Sequence, residues 1–302
     1  MGLEVAPGIH RIESPLGARF TAQYVLAGNA RALLVDTGMP DTPAAVLKPY
    51  LDSVGLGLEA LDDVLVSHAD NDHVGGNRAL RDLHPGARFA CHELDRRWVE
   101  SNDALVAENY LWHEPYGFDE PDEAGRAALR ASCGGDAPVD TGLRGGETIR
   151  LGDDWRLEVL HLPGHTFGHL GIWDPRSRAA IVIDAVLERG IYARDGTTLL
   201  IPPRIYDLDA YRATMRRLRA LEPDLLLTAH YPVLDAAAAR AFLDRSLDFT
   251  YEVEAAVREE LAAGTTELWP LTQRLDERLG PYPEFRNELG ALVRAALATS
   301  GR

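Results

Sequence analysis

The stretch Ser67-His68-Ala69-Asp70-Asn71-Asp72-His73-Val74-Gly75-Gly76 constrains this chain more than any other. Four side chains able to ligate a metal, His68, Asp70, Asp72 and His73, stand almost side by side. They directly follow the apolar run Val64-Leu65-Val66, which reads as a buried strand. Imidazole and carboxylate are the common non-thiolate ligands of zinc and iron, and a loop leaving a strand end can turn alternate side chains toward one point. Gly75-Gly76 then allows a tight turn, and Asn77 is expected to cap a helix running to about Leu83. Taken alone, the stretch also fits a polar strand-to-helix turn in which Asp72 caps and the histidines are solvated.

The downstream sequence weighs against that plainer reading. Leu162-Pro163-Gly164-His165-Thr166-Phe167-Gly168-His169 follows the strand pattern of residues 155–160 and places a further histidine on a strand-end loop. The run Ala179-Ala180-Ile181-Val182-Ile183 delivers Asp184, and Leu225-Leu226-Leu227-Thr228 delivers His230. Every candidate ligand thus lies just past a strand. Strands that end at one sheet edge bring such sequence-distant groups together.

From about residue 8 to about residue 235 the chain resembles the metallo-β-lactamase superfamily. Its HxHxDH pattern with a later His, Asp and His is matched, in order, by His68, Asp72, His73, His165, Asp184 and His230. Leu33-Leu34-Val35-Asp36-Thr37-Gly38 and Pro163-Gly164-His165-Thr166 fit the same pattern, while Asp70 stands where the family has its second histidine, giving HxDxDH. The resemblance implies the αββα sandwich, two mixed sheets face to face with helices outside. It also implies two divalent metal ions: His68, Asp70 and His165 would hold one, Asp72, His73 and His230 the other, and Asp184 would bridge them. A hydroxide between the ions would be the nucleophile, because metal binding lowers the pKa of water from about 16 to about 7. Asp72 and Tyr231 are the candidate catalytic residues, Tyr231 as donor to the oxyanion or leaving group. His169 and Asp36 are candidates to hold ligand histidines through their free ring nitrogens.

Asp70 is the position specific to this chain. Two divalent ions, one hydroxide and three carboxylates make a formally neutral core, whereas a histidine there would leave one positive charge. Carboxylate is the harder ligand, so iron or manganese gains relative to zinc. An acidic residue here also occurs in the flavodiiron proteins and related di-iron oxygenases of the superfamily. Three functions therefore compete: hydrolysis of a small, mostly uncharged ester, lactone or thioester; di-iron redox chemistry; and a degenerate, non-catalytic member in which Asp70 misses the metal.

The remainder of the chain fills in the architecture. Strand patterns at residues 9–12, 21–26, 32–36, 63–67 and 87–91 alternate with helical ones, an α/β arrangement. Residues 92–145, rich in large rings (Trp98, Tyr110, Trp112, Tyr116, Phe118), are expected to form a substrate lid, or else to pack those rings as core. Asp207 caps a helix that Pro223 closes, and residues 235–262, 268–279 and 283–298 read as a helical C-terminal extension to a domain of residues 1–234. That extension would complete the pocket wall or form a homodimer surface. With 47 acidic against 31 basic residues the net charge is −16, which argues against nucleic-acid and anionic-membrane partners and for a small-molecule substrate. Neither a signal-peptide pattern nor a run of transmembrane length is found, so a cytoplasmic location is expected. Cys91 and Cys133 read as inert thiols.

Overall fold

A computed structural model describes residues 2–300. Its first sheet has seven strands in sequence order: β1 (Gly2–Ala6), β2 (Ile9–Leu16), β3 (Arg19–Ala27), β4 (Ala32–Val35), β5 (Leu61–Leu65), β6 (Arg88–His92) and β7 (Thr141–Leu143). The strands pair antiparallel as far as β4 and parallel from β4 to β7. Between them lie α1 (Lys48–Ser53), α2 (Asn71–Val74), α3 (Asn77–Leu83), α4 (Arg96–Glu100), α5 (Asn102–Ala104) and α6 (Glu123–Ser132). The second sheet runs β15-β14-β11-β10-β9-β8, from β8 (Thr148–Arg150), β9 (Arg156–His161), β10 (Leu170–Asp174), β11 (Ala179–Ile183), β14 (Leu225–Thr228) and β15 (Leu234–Asp235). A separate ribbon pairs β12 (Ile191–Tyr192) with β13 (Leu199–Ile201). The helices α7 (Leu208–Leu221), α8 (Ala236–Ala262), α9 (Leu268–Leu279) and α10 (Arg286–Ser300) complete the chain.

The αββα layering follows from period-two alternation. Along β11, Ala179, Ile181 and Ile183 face the core between the sheets, where they meet Leu33, Val35 and Leu65 of the first sheet. Ala180 and Val182 face outward and pack with Tyr211, Met215 and Leu218 of α7 and with α8 to α10. On the outer face of the first sheet, Leu34, Val64 and Phe89 pack with Leu47, Leu51 and Leu80. Both sheets are therefore apolar on two faces, as buried layers must be.

Several expected elements shift in detail. β1, β7, β8, β10, β15 and the β12–β13 ribbon have no counterpart in the sequence reading; most are short, and β10 is buried on both faces and so carries no alternation. Asn77 is not the cap of α3 but its first residue, and its side chain accepts from Thr37 Oγ1 at 2.7 Å. Gly75 and Gly76 adopt ordinary helical angles rather than a special turn. Their small size is needed for close approach: a Cβ on Gly76 would meet the Thr37 carbonyl oxygen at 2.5 Å, and one on Gly75 the Ser132 oxygen at 2.8 Å. No helix among the described residues is long and apolar enough to cross a membrane.

Candidate metal centre

β9 and β11 both run antiparallel to β10, and β14 runs parallel to β11, so the C-terminal ends of β9, β11 and β14 share one sheet edge. His165, Asp184 and His230 leave from that edge. His68, Asp70, Asp72 and His73 arrive on the loop after β5 and on α2. All seven side chains are buried. Two turns beside them are held in left-handed backbone, Asp36 at φ 64° and Ile183 at φ 51°. For a β-branched residue this conformation is strained, and here it directs Asp184 off the strand end.

The ligand atoms gather into three sets, within each of which all lie no more than 4.8 Å apart: His68, Asp70 and His165; Asp72, His73 and His230; and His68, His73 and Asp184. The third set joins one histidine from each of the other two through Asp184, whose Oδ2 lies 3.5 Å from His73 Nε2 and 3.1 Å from His230 Nε2.

The four histidines share one orientation. Each Nδ1 is engaged on the outer side: His68 with Ser67 Oγ at 2.9 Å, His73 with Asp36 Oδ2 at 2.8 Å, His165 with the Arg204 carbonyl at 2.8 Å and His230 with the Phe20 carbonyl at 2.8 Å. Carbonyl and carboxylate accept, and Ser67 Oγ, which donates to Asp36 Oδ2 at 2.7 Å, accepts from His68. The proton is thereby fixed on Nδ1, and the Nε2 lone pair points into the cluster, the form that binds a cation. His68 Nε2, His73 Nε2 and Asp184 Oδ1 are buried without a hydrogen-bond partner. Buried polar atoms are seldom left so, and a divalent cation would satisfy all three. The residues fit such an ion.

The electrostatics agree. Burial opposes charge on His73, yet Asp72, Asp36 and Asp184 together hold its pKa well above the ordinary value. Burial likewise opposes charge on Asp184, but His230 and His73 keep its carboxyl well below the usual range. The centre is built to hold positive charge between carboxylates.

Asp70 divides its two oxygens. Oδ2 faces His165 Nε2 at 3.1 Å and His68 Nε2 at 3.3 Å. Oδ1 takes the Arg204 guanidinium and Asn109 Nδ2, the latter at 3.1 Å. Arg204 is 3% exposed, and its other terminal nitrogen reaches Glu288 of α10 at 3.2 Å. Burial works against ionisation of Asp70, and Arg204, His165 and His68 overcome it to hold the carboxyl well below its usual range. The neutral core counted from sequence is therefore incomplete, because a buried guanidinium sits against the carboxylate that replaces histidine. Arg204, Asn109 and Glu288 have no local sequence signal; they come from segments far apart in the chain.

Two expected roles are corrected. Tyr231 does not aim its hydroxyl at the cluster: it donates to the Leu187 and Gly190 carbonyls at 2.5 and 2.6 Å, and its ring packs on Phe242 with centroids 4.7 Å apart. His230 turns inward, so the next residue turns into the outer core. His169 holds no ligand by hydrogen bonding. Both its ring nitrogens are unpartnered, and it stacks on His68 at 4.6 Å. Asp36 does hold a histidine, His73, and accepts from the Ser67 backbone N–H at 2.7 Å as well.

A histidine and carboxylate cluster able to hold metal, at one edge of an αββα sandwich, defines the class: a metal-site protein of the metallo-β-lactamase type. The chain matches the description of the metallo-beta-lactamase superfamily over residues 16–230 and belongs to that family. It is 22% identical over 235 residues to the probable metallo-hydrolase YqjP of Bacillus subtilis, covering 73% of this chain and 70% of that one. It is 27% identical over 156 residues to the hydroxyacylglutathione hydrolase GloC of Haemophilus influenzae, covering 52% and 63%. A metallo-beta-lactamase family protein of Thermus thermophilus, TTHA1429, shares the fold with a TM-score of 0.76, 21% identity and coverage of 99% and 95%.

Proposed function

We propose that this chain is a dinuclear metallo-hydrolase that directs water onto the carbonyl carbon of a small, mostly uncharged ester, lactone or thioester and so breaks its acyl C–O or C–S bond. The observation that carries the reading is the paired triads joined by Asp184, with all four imidazoles presenting Nε2 inward. In this reading His68, Asp70 and His165 hold one divalent ion, Asp72, His73 and His230 the other, and Asp184 spans both. Ions bound there would supply Lewis acidity and a water acidic enough to attack near neutral pH. The side chains do the rest: Asp36 and Ser67 fix the histidine tautomers, and Asp72, at the cleft floor, can take a proton from the attacking water or carry it to the leaving group.

The surrounding cleft supports an uncharged substrate. Its cavity volume is about 90 Å³, and beside Asp70, Asp72, His165, Asp184 and His230 it is walled by Leu129, Leu187, Ile191, Ile201 and Phe285, with Arg19, Arg204 and Glu288 also in the lining. Tyr110, Leu129 and Phe285 also line a larger cleft of about 650 Å³ that includes Phe118 and Trp269. This second cleft offers room for an apolar acyl or alcohol arm, and it lies between the 92–145 segment and the C-terminal helices. The hydroxyacylglutathione hydrolase relatives favour a thioester within the class.

Protein loaded separately with zinc, manganese and iron should turn over at least one member of a panel of esters, lactones and thioesters, glutathione thioesters included. H165A and D184N should each lower kcat/KM by 10³-fold or more while the fold persists. Full turnover in either variant, or oxygen consumption in place of hydrolysis, would count against this assignment.

A further inference from the structure

The two ligand sets are not electrically equivalent. Around Asp72, His73 and His230 the charges in direct contact are carboxylates, Asp184 Oδ2 at 3.1 Å from His230 Nε2 and Asp36 behind His73 at 2.8 Å, while Arg19, which lines the cleft, is paired with Glu284 at 3.2 Å. Around His68, Asp70 and His165 stands a fixed cation. Arg204 touches two of these three ligands at once, its guanidinium on Asp70 Oδ1 and its carbonyl on His165 Nδ1 at 2.8 Å. Nothing in the surroundings lets it withdraw. It lies between the rings of Tyr110 and Tyr206, 5.7 and 5.6 Å from their centroids, and is tied to Glu288. Asn109 adds a second donor to the same Asp70 oxygen, its amide oriented by Tyr206 Oη donating to its Oδ1 at 2.8 Å.

We infer that Arg204 is a positioning residue that sets unequal metal affinities: the Asp72, His73 and His230 position binds first and tightly, and the His68, Asp70 and His165 position binds second and weakly. A carboxylate that has given one oxygen to a guanidinium donates less charge through the other, and the guanidinium repels the incoming ion in a site sheltered from water. Glu288 moderates that repulsion, so the C-terminal helix α10 reaches the metal centre electrically without contributing a ligand. The exchange of histidine for Asp70 and the placement of Arg204 belong to one arrangement.

This inference rests on the two-ion reading above, and its test separates the two. The full chain, stripped with chelator, is titrated with Zn²⁺ at pH 8 in a calorimeter. That pH lies above the value of about 7 to which burial pushes Glu288. Two binding events at least tenfold apart are expected. R204Q should tighten the weaker event by tenfold or more and leave the tighter one unchanged, while R204K, which keeps the charge, should stay near the parent. E288Q should weaken the second event further, which keeps the test decisive if R204Q folds poorly. A second event unmoved in R204Q and E288Q, or two equal events in the parent, would overturn the asymmetry and leave the hydrolase reading standing. A chain that took up no zinc at all would overturn both.

Discussion

At the scale of single residues, the site is governed by atoms that face away from the metals. Asp36 accepts three hydrogen bonds, from the Ser67 backbone, Ser67 Oγ and His73 Nδ1, while sitting at φ 64°. Asparagine tolerates that backbone but can accept on one oxygen only. D36N should therefore keep the fold and weaken metal binding by about 10- to 100-fold, the usual effect of losing such an outer partner; an unchanged dissociation constant would deny Asp36 this role. Asp70 and Arg204 form a coupled pair. Restoring the family's histidine in D70H would leave the buried guanidinium with Glu288 but without its Asp70 partner, at a cost of about 3 kcal/mol. The double variant D70H/R204Q should regain most of that loss, a coupling readable from chemical denaturation of the two singles and the double. Equal stability of D70H and parent would show that the pair carries no weight.

At the scale of elements, the ligand loops are held by neighbours that contribute no ligand. The segment after α6 presses Gly134, at φ 76°, against α2, where a Cβ would lie 1.8 Å from the Gly75 carbonyl oxygen. G134A should cost about 2–4 kcal/mol and disturb metal uptake, because both the conformation and the space exclude a side chain. Asp95, in the turn between β6 and α4, grips the loop of the third histidine through Thr166 Oγ1 at 2.5 Å and the Gly168 N–H at 2.8 Å. Burial pushes its carboxyl up to about 6, outweighing those two hydrogen bonds. A carboxyl raised on folding gives stability that is fully present below its unfolded value, near 4, and is lost as pH rises through about 6. Relative to D95N, the parent should lose about 3 kcal/mol between pH 4 and pH 7. Parallel stability curves for the two proteins over that range would refute the effect.

At the scale of the whole molecule, seven candidate ligands from four strand ends must be held together against their own charges. Three carboxylates converge at the centre, and among the described residues Asp70 is the one of them paired with an arginine. Divalent ions should therefore stabilise the native chain by mass action, by about 4 kcal/mol at a thousandfold excess over the dissociation constant. For a chain of this length that is on the order of 10 °C in melting temperature. Chelator should reverse the rise, and D184N should blunt it. A melt indifferent to metal would argue that the cluster is structural only. The C-terminal helices share a core with this fold: Leu271, Leu275, Leu289 and Leu292 are buried in one cluster with α7 and the outer face of the second sheet.

How much of this was legible in the sequence depended on how local the determinant was. The α/β alternation could be read because strand and helix periods are written into adjacent residues, and the resemblance carried by the ligand motif turned it into the αββα layering. The cluster could be read because its ligands are scarce residue types lying one or two positions beyond apolar runs. Even the helical tail was visible, in the spacing of Phe242, Phe249, Val253 and Val257. Which way a side chain turns at a strand end was not: Tyr231 follows a ligand directly yet points into the outer core, and His169 lies beside one yet only stacks. Nor was the partner of Asp70 readable, since Asn109, Arg204 and Glu288 converge from segments with no common motif. Sequence alone determined the alternation of strands and helices and the candidate ligands at strand ends, because these follow from short-range periodicity and residue chemistry, while the layered sandwich was what the family resemblance implied. Tertiary structure alone decided the electrical inequality of the two ligand sets, because a buried charge acts through space on whatever packing brings beside it.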